Sequence, residues 1–302
     1  SDTVPAAPVV VGITNLENEV EITAMACHPQ GEIVACGKDN GAVALYSTHD
    51  GTEIRVLYSH AQGIAVNFLI FSPSADLIIS ADASSRCLVS RLVKSGSDWS
   101  TEGPVLDVRV QDYSISQILL DKANKRLLLS TIGSDTIYNI ESGHRESSTI
   151  QERNSWKWIV HPRDLEKLIH LTSSTAHVHT WNDVSETYFC AEMKMAMDTS
   201  EDMYLKDVVA CSDGRKLSIE FAKSTSQQST SKVLIIPCSS FDEPFANTIK
   251  PLAIFNKVSA EIEHVVGSIG RTLLFLDHRL WVCSLDLEKF KGEYFRHFFI
   301  PE

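Results

Sequence analysis

The sequence has no apolar run approaching the ~20 residues that a membrane-spanning helix needs, so a membrane partner is not expected. The short Val9-Val10-Val11 run has no basic flank and is not a signal peptide. Positive charge is scarce: 27 Lys and Arg stand against 39 Asp and Glu, a net charge of −12. That balance repels phosphate backbones and argues against nucleic acid as a partner. The best local basic group, Lys122, Lys125 and Arg126, reads as a solvated turn. No Cys-x-x-Cys pair exists, which removes support for zinc-ribbon and thioredoxin-like readings. The seven cysteines are odd in number and widely spaced, and most lie in apolar runs such as Val34-Ala35-Cys36. Such cysteines behave as small buried hydrophobes. With no Asn-x-Ser/Thr acceptor either, the expectation is a reducing, cytoplasmic compartment.

Catalytic signatures are equally scarce. A Walker Gly-x-x-x-x-Gly-Lys-Ser/Thr pattern, a Gly-x-Ser-x-Gly elbow and a His-Glu-x-x-His pair are all absent. His177 and His179 share one strand face, and His170 falls on the neighbouring strand, so three imidazoles could approach one metal. An ordinary polar strand edge is the simpler reading. No metal or cofactor is therefore expected. Carboxylates such as Glu261 and Glu263, or Asp198, Glu201 and Asp202, form no diagnostic pair.

Sustained 3.6-residue periodicity with helix caps is also missing; only Leu285 to Phe290 suggests a short helical turn. What is present is a repeat. A turn signal follows an apolar run at Cys27-His28-Pro29-Gln30-Gly31, Phe71-Ser72-Pro73-Ser74-Ala75, Leu120-Asp121-Lys122-Ala123-Asn124, Val160-His161-Pro162-Arg163-Asp164, Ala210-Cys211-Ser212-Asp213-Gly214 and, least clearly, Val266-Gly267-Ser268-Ile269-Gly270. Their first residues are 44, 49, 40, 50 and 56 positions apart. Four-stranded propeller blades repeat every ~40–45 residues, and loop insertions lengthen the period.

Each signal is flanked by strand-like runs. Those before it are Ile22 to Ala26, Ala65 to Ile70, Ile115 to Leu119, Trp156 to Ile159, Tyr204 to Val209 and Ile262 to Val265. After the next strand and a turn come Ala42 to Tyr46, Cys87 to Leu92, Thr136 to Ile140, His177 to Trp181, Lys232 to Ile236 and Leu280 to Leu285. Asp39-Asn40-Gly41 is a strong tight-turn signal. A strand-rich blade cannot bury both faces by itself, whereas stacked blades can. The expected fold is all-β: a β-propeller of four-stranded antiparallel blades, six recognisable plus a partial seventh. A closed six-bladed ring is the alternative.

Gly37-Lys38-Asp39-Asn40-Gly41-Ala42-Val43-Ala44-Leu45-Tyr46 resembles the turn and third strand of the WD-repeat propeller family. His60, eleven positions before Phe71-Ser72-Pro73, is similar to that family's opening His and first strand. The resemblance spans about residues 20–300 and departs in having no Trp-Asp dipeptide; Trp181-Asn182 is nearest. The family's His/Ser/Asp/Trp hydrogen-bond network is therefore expected to be incomplete in most blades. The stretch Leu274 to Leu285, with Tyr294 to Glu302, resembles the end of the C-terminal WD-repeat region of fungal NACHT-type, NLR-like signalling ATPases. There the propeller is a sensor or regulatory module.

Residues 1–8 read as a linker and 9–302 as a WD40-like β-propeller domain. Val9 to Ile13 is available as an outer strand for a last blade. A start without Met and an end at Pro301-Glu302 suggest a piece of a longer polypeptide, with a propeller incomplete at its C-terminus. Lys223 to Lys232 reads as a polar hairpin loop, and residues 182–203 as an insertion carrying Met193, Met195, Met197 and Met203.

The resemblance implies a non-catalytic protein-interaction module whose partner is another protein or a neighbouring domain of the parent chain. Candidate contacts near the turns are Lys38, Asp39, His60, Arg86, Trp156, Lys157, Asp277, His278 and Arg279. Asp39 also has a plain structural role open to it as a turn residue. A small-ligand or enzymatic propeller using a central channel is the competing reading.

Overall fold

The computed structural model describes residues 20–96, 98–110, 113–150, 156–193, 203–211, 213–223, 231–242 and 247–300. Six antiparallel sheets follow one another along the chain. The first holds β1 (Ile22–Cys27), β2 (Ile33–Lys38), β3 (Ala42–Ser47) and β4 (Glu53–Ser59). The second holds β5 (Val66–Phe71), β6 (Leu77–Asp82), β7 (Arg86–Ser95) and β8 (Asp98–Arg109). The third holds β9 (Ile115–Leu120), β10 (Arg126–Thr131), β11 (Ser134–Asn139) and β12 (Arg145–Ile150). The fourth holds β13 (Trp156–Val160), β14 (Lys167–Thr172), β15 (Thr175–Thr180) and β16 (Phe189–Met193). The fifth holds β17 (Met203–Ala210), β18 (Lys216–Lys223) and β19 (Ser231–Pro237). After the two-residue β20 (Thr248–Ile249), the sixth holds β21 (Ile262–Ile269), β22 (Thr272–Asp277), β23 (Trp281–Asp286) and β24 (Phe295–Phe299). This is the all-β, six-bladed propeller arrangement expected from the repeat.

The recurring signal has a backbone cause. In four sheets the fifth residue of the motif adopts a left-handed conformation: Gly31 (φ 74°), Ala75 (φ 64°), Asn124 (φ 56°) and Gly214 (φ 67°). The amide of each donates to the carbonyl three residues earlier, at 2.7, 2.9, 3.1 and 2.8 Å. Glycine and asparagine tolerate that conformation best, which is why they mark the motif.

The sequence reading needs two corrections. Val266 to Ile269 is not a turn but part of β21, which carries bulges and turns only at Gly270. Leu285 to Phe290 is not helical: β23 runs to Asp286, whose Oδ1 accepts the amides of Glu288 and Lys289 at 2.9 and 3.1 Å. The short helix lies instead at Asn256–Ser259, with 3₁₀ turns at Cys238–Phe241 and Ala253–Phe255. The fifth sheet has three strands among the described residues, and β20 pairs in parallel with β16 of the fourth. No seventh sheet occurs among the described residues. Val9 to Ile13, the 1–8 segment, Met195, Met197 and most of the Lys223 to Lys232 loop lie outside them.

Contacts divide the chain into two compact units: residues 1–132 with 138–145, and residues 133–137 with 146–302. In the first unit, Ile33, Ala35, Val43 and Leu45 pack with Val66, Leu69 and Ile78, and Leu77, Ile79 and Val89 pack with Ile115, Leu127 and Leu129. The β2–β5 approach is close: a Cβ on Gly37 would fall 2.6 Å from Val66 Cγ1. In the second unit, Ile169, Leu171 and Val178 pack with Leu217, Ile219 and Phe221, and Val233 and Ile235 pack with Val265, Leu273 and Phe275. Alternate residues of each strand thus fill the space between sheets, as period-two patterning dictates.

Candidate functional site

Six of the nine candidate contacts, Lys38, Asp39, Arg86, Asp277, His278 and Arg279, lie on or beside turns that join second and third strands. The last paired residues before three of these turns are Gly37–Val43, Ala81–Cys87 and Leu276–Val282. Lys38, Asp82 and Asp277 therefore occupy one structural position. Three residues on, Gly41 (φ 91°), Ser85 (φ 64°) and Leu280 (φ 60°) are all left-handed. Their amides donate back to the carbonyls of Lys38, Asp82 and Asp277 at 3.1, 2.9 and 2.8 Å. Their own carbonyls accept from the amides of His60, Val110 and Ile300 at 2.9, 3.0 and 3.0 Å, tying down the residues beyond each outer strand.

In the second sheet the Asp82 carboxylate organises the turn. Its Oδ1 accepts the amides of Ser84 and Arg86 at 2.8 and 3.1 Å and the Ser84 hydroxyl at 2.7 Å. Its Oδ2 lies 3.0 Å from His60 Nδ1, and His60 Nε2 lies 2.8 Å from Ser80 Oγ. Tyr58 Oη is 3.0 Å from the same Ser80 oxygen. Burial, the largest influence on His60, lowers its pKa despite the Asp82 charge. Burial acts to raise Asp82, but hydrogen bonds from Ser84 and Arg86 and the His60 charge hold it below the usual carboxylate range. A neutral ring beside an ionised carboxylate fixes the proton directions. His60 Nδ1–H donates to Asp82, the Ser80 hydroxyl donates to His60 Nε2, and the Tyr58 hydroxyl donates to Ser80.

Ser80, His60 and Asp82 have the connectivity of a hydrolytic triad. All three are buried, however, and the His60 and Asp82 side chains have no exposed surface. No substrate can approach Ser80 Oγ in this arrangement. His60 holds the end of one outer strand against the next sheet and presents no contact surface. Asp277 is likewise buried. Its Oδ1 accepts the amides of Arg279 and Trp281 at 2.9 and 3.1 Å, and its Oδ2 accepts Arg296 Nε at 2.9 Å.

The remaining candidates differ in availability. Arg86 grips Asp107 through Nε and Nη2 at 2.9 and 2.6 Å. Lys38 pairs with Glu53 at 2.8 Å, and Tyr46 donates to the same carboxylate at 2.8 Å. Trp156 and Lys157 are half-buried on β13, with the Trp156 ring 6.4 Å from that of His170. Asp39 is also half-buried. His278 and Arg279 are exposed. The His278 ring is fixed by Glu263 Oε2 at 2.6 Å and the Ala260 carbonyl at 2.9 Å. Burial acts to lower its pKa, but these acceptors and the nearby Asp277 charge raise it. The turn thus brings Asp277, His278 and Arg279 together in the second unit; His60 and Arg86 converge on Asp82 in the first.

The three histidines of the fourth sheet do share a face. His170 pairs directly with His177, and the three ring centroids are 6.0–6.3 Å apart. Trp158 closes one side, 4.5 Å from His170 and 5.0 Å from His179. Burial drives His170 down to about 3 and His179 to about 4. Among the described residues, no group of three His, Cys, Asp or Glu is arranged to hold a metal ion. The cluster is a set of neutral rings, tilted or edge-on to one another, on one face of the sheet.

Sequence reasoning also missed the buried carboxylate of Glu220. Glu220 on β18 is fully buried, with Lys206 Nζ at 2.6 Å, His264 Nδ1 at 2.9 Å and the Val265 amide at 3.1 Å. A lone acid inside the apolar run Leu217 to Ala222 was its only signal. Lys206 and His264, on strands β17 and β21, each keep a partly exposed side chain.

These sheets and turns define the β-propeller class. The fold is similar to the β-propeller domain of Cps50 (Swd1) from Myceliophteria thermophila, with a TM-score of 0.63 and 12% identity over 96% of this chain and 90% of that one. It is also similar to Sqt1 of Saccharomyces cerevisiae, with a TM-score of 0.58 and 11% identity over 92% of this chain and 85% of that one. No protein-family model and no curated protein matches the sequence.

Proposed function

We propose that this chain is a non-catalytic protein-interaction propeller, the sensor, regulatory or scaffold module of a larger intracellular protein. Its partner is another protein or a neighbouring domain of the same parent polypeptide, as the resemblance to NACHT-type ATPases implies. The observation that carries the reading is the sixth-sheet turn. A buried, fully hydrogen-bonded Asp277 fixes the backbone while the adjacent His278 and Arg279 face solvent. A rigid frame that displays charged side chains loses little entropy when a partner binds. All seven cysteines are free, five of them buried, which supports a reducing, cytoplasmic setting.

The test is affinity capture from lysate of the source organism with the folded chain, beside a His278→Ala/Arg279→Glu variant. The reading expects a stoichiometric, salt-resistant protein partner with the first and loss of that partner with the second. An empty wild-type bait overturns scaffolding in favour of intramolecular sensing. Capture that the variant leaves unchanged removes this turn from the interface.

A further inference from the structure

One cross-strand row on the fourth sheet carries Trp158, His170, His177 and Cys190, each paired directly with the next. His179 lies two residues beyond His177 on β15 and so shares that face. His170 and His179 are 7% and 5% exposed, and the Nε2 atom of each has no hydrogen-bond partner among the described residues. The other nitrogen of His179 locates its proton: Nδ1 stands 2.9 Å from the Glu186 carbonyl oxygen, which only accepts. Nδ1 therefore carries the hydrogen, and Nε2 is left as a bare lone pair inside the protein. Leaving a buried acceptor unmet is costly. A ring nitrogen tied to a carbonyl is also how a metal-binding imidazole is oriented.

The rest of the face supplies further donors. His177 Nε2 faces Thr175 Oγ1 at 3.0 Å and Cys190 Sγ at 3.7 Å. Zinc bound tetrahedrally to one imidazole and one thiolate holds N and S about 3.6 Å apart. The ring centroids of His170, His177 and His179 form a nearly equilateral triangle with sides of 6.0, 6.2 and 6.3 Å. By the same bond lengths, three imidazoles on one zinc ion stand about 5.2–5.5 Å apart. No three of these groups are arranged to hold an ion as they stand. Closing the triangle takes less than about 1 Å on each side, with rotation of the rings. Burial lowers the pKa of all three histidines, so the rings are neutral at pH 7, the form that binds metal. Trp158 is fully buried beside His170 and His179, while the exposed Cys190 leaves entry from solvent.

We infer that this face of the fourth sheet binds a zinc ion, with His170, His177 and His179 giving their Nε2 atoms and Cys190 its sulfur. Three imidazole nitrogens and one thiolate suit tetrahedral zinc rather than the oxygen-seeking magnesium or calcium. The Cys190 thiol proton passes to solvent as the bond to zinc forms, and the Thr175 hydroxyl gives up its contact with His177. The ion ties the outer strand β16 to β14 and β15. Spacing alone left these histidines as a polar strand edge; the tautomer of His179 is what the structure adds. The site is independent of the protein-interaction reading.

The experiment is competition for zinc between the intact chain, stripped with EDTA, and a chromophoric chelator, with zinc sulfate as the only added metal. The expected result is one zinc per chain, with affinity weakened at least about tenfold in Cys190→Ser and in His177→Gln. Cys27→Ser, which removes the other exposed thiol, is expected to bind as the wild type does. Zinc is also expected to raise the wild-type melting temperature and to slow alkylation of Cys190 while Cys27 stays reactive. Because Cys190 is exposed, its metal-free serine variant is expected to melt with the wild type, which separates lost binding from lost folding. No zinc bound by the folded wild type, equal affinity in Cys190→Ser, or an equal loss in Cys27→Ser overturns the inference.

Discussion

His60 and Asp82 are joined at 3.0 Å by a hydrogen bond with no solvent access on either side, and they come from neighbouring sheets. Removing one partner strands the other as a buried polar group. Asp82→Ala also releases the amides of Ser84 and Arg86. It is expected to destabilise the chain by about 3 kcal/mol, and His60→Ala by about 2 kcal/mol. Urea denaturation of the intact chain measures both. A loss under about 0.5 kcal/mol for either would mean that the network does not secure the turn.

Acid is expected to loosen the fourth sheet. His170 and His179 sit at about 3 and about 4 in the fold, against an ordinary value near 6.5. The folded state keeps both rings neutral, so the unfolded chain binds more protons as pH falls. Their contribution is complete above about pH 6.5 and is lost progressively as pH falls toward the folded values, by about 1 kcal/mol per pH unit for each ring. Denaturation midpoints at pH 7, 6 and 5 read the slope. A His179→Gln variant with an unchanged slope would remove this ring from the account.

The opposite sign holds at His278, whose pKa is raised. The tie to Glu263 is at full strength below the ordinary histidine pKa and weakens as pH rises through the raised value. An NMR titration of the imidazole is expected to show an elevated midpoint that returns toward the ordinary value in Glu263→Gln. An ordinary midpoint in the wild type would dissolve this tie.

Two glycines separate backbone strain from crowding. Gly31 (φ +74°) has open space where a Cβ would stand, whereas Gly41 (φ +91°) would place one 2.6 Å from the Ala61 carbonyl oxygen. Gly31→Ala is expected to cost about 1 kcal/mol and Gly41→Ala about 2–3 kcal/mol. Equal losses in thermal melts would mean that the Ala61 loop yields freely.

Glu220→Ala leaves the Val265 amide without its acceptor and separates Lys206 from a fully buried charge. A loss of about 3 kcal/mol is expected, against about 1 kcal/mol for the half-exposed Lys206→Met. Urea titrations of the two variants test the ordering.

Much of the frame is legible in the sequence. Pro29-Gln30-Gly31 and Ala123-Asn124 announce a left-handed turn because few residues tolerate one, and the strands on either side alternate. Val266 to Gly270 misled for the same reason. Gly267 and Ser268 look like turn residues, but pairing with β22 carries them as strand, and Ser268 Oγ donates to the Ala210 carbonyl at 2.9 Å. Tertiary pairing outweighs local preference there. The contact residues were harder to read. His60, Lys38 and His278 are all polar residues near turns, yet one is buried, one is paired across its own sheet and one is exposed. That difference depends on partners 15 to 22 residues away, which local spacing does not record.

Lys38 has a different chemistry from Asp82 and Asp277, and Gly41, Ser85 and Leu280 share none, yet each trio fills one place in one turn. The periodicity of this molecule is stored as a backbone angle and a set of main-chain hydrogen bonds, and the alphabet written over it is free to drift. Different side chains at the outward-facing positions of these turns are therefore compatible with one backbone geometry.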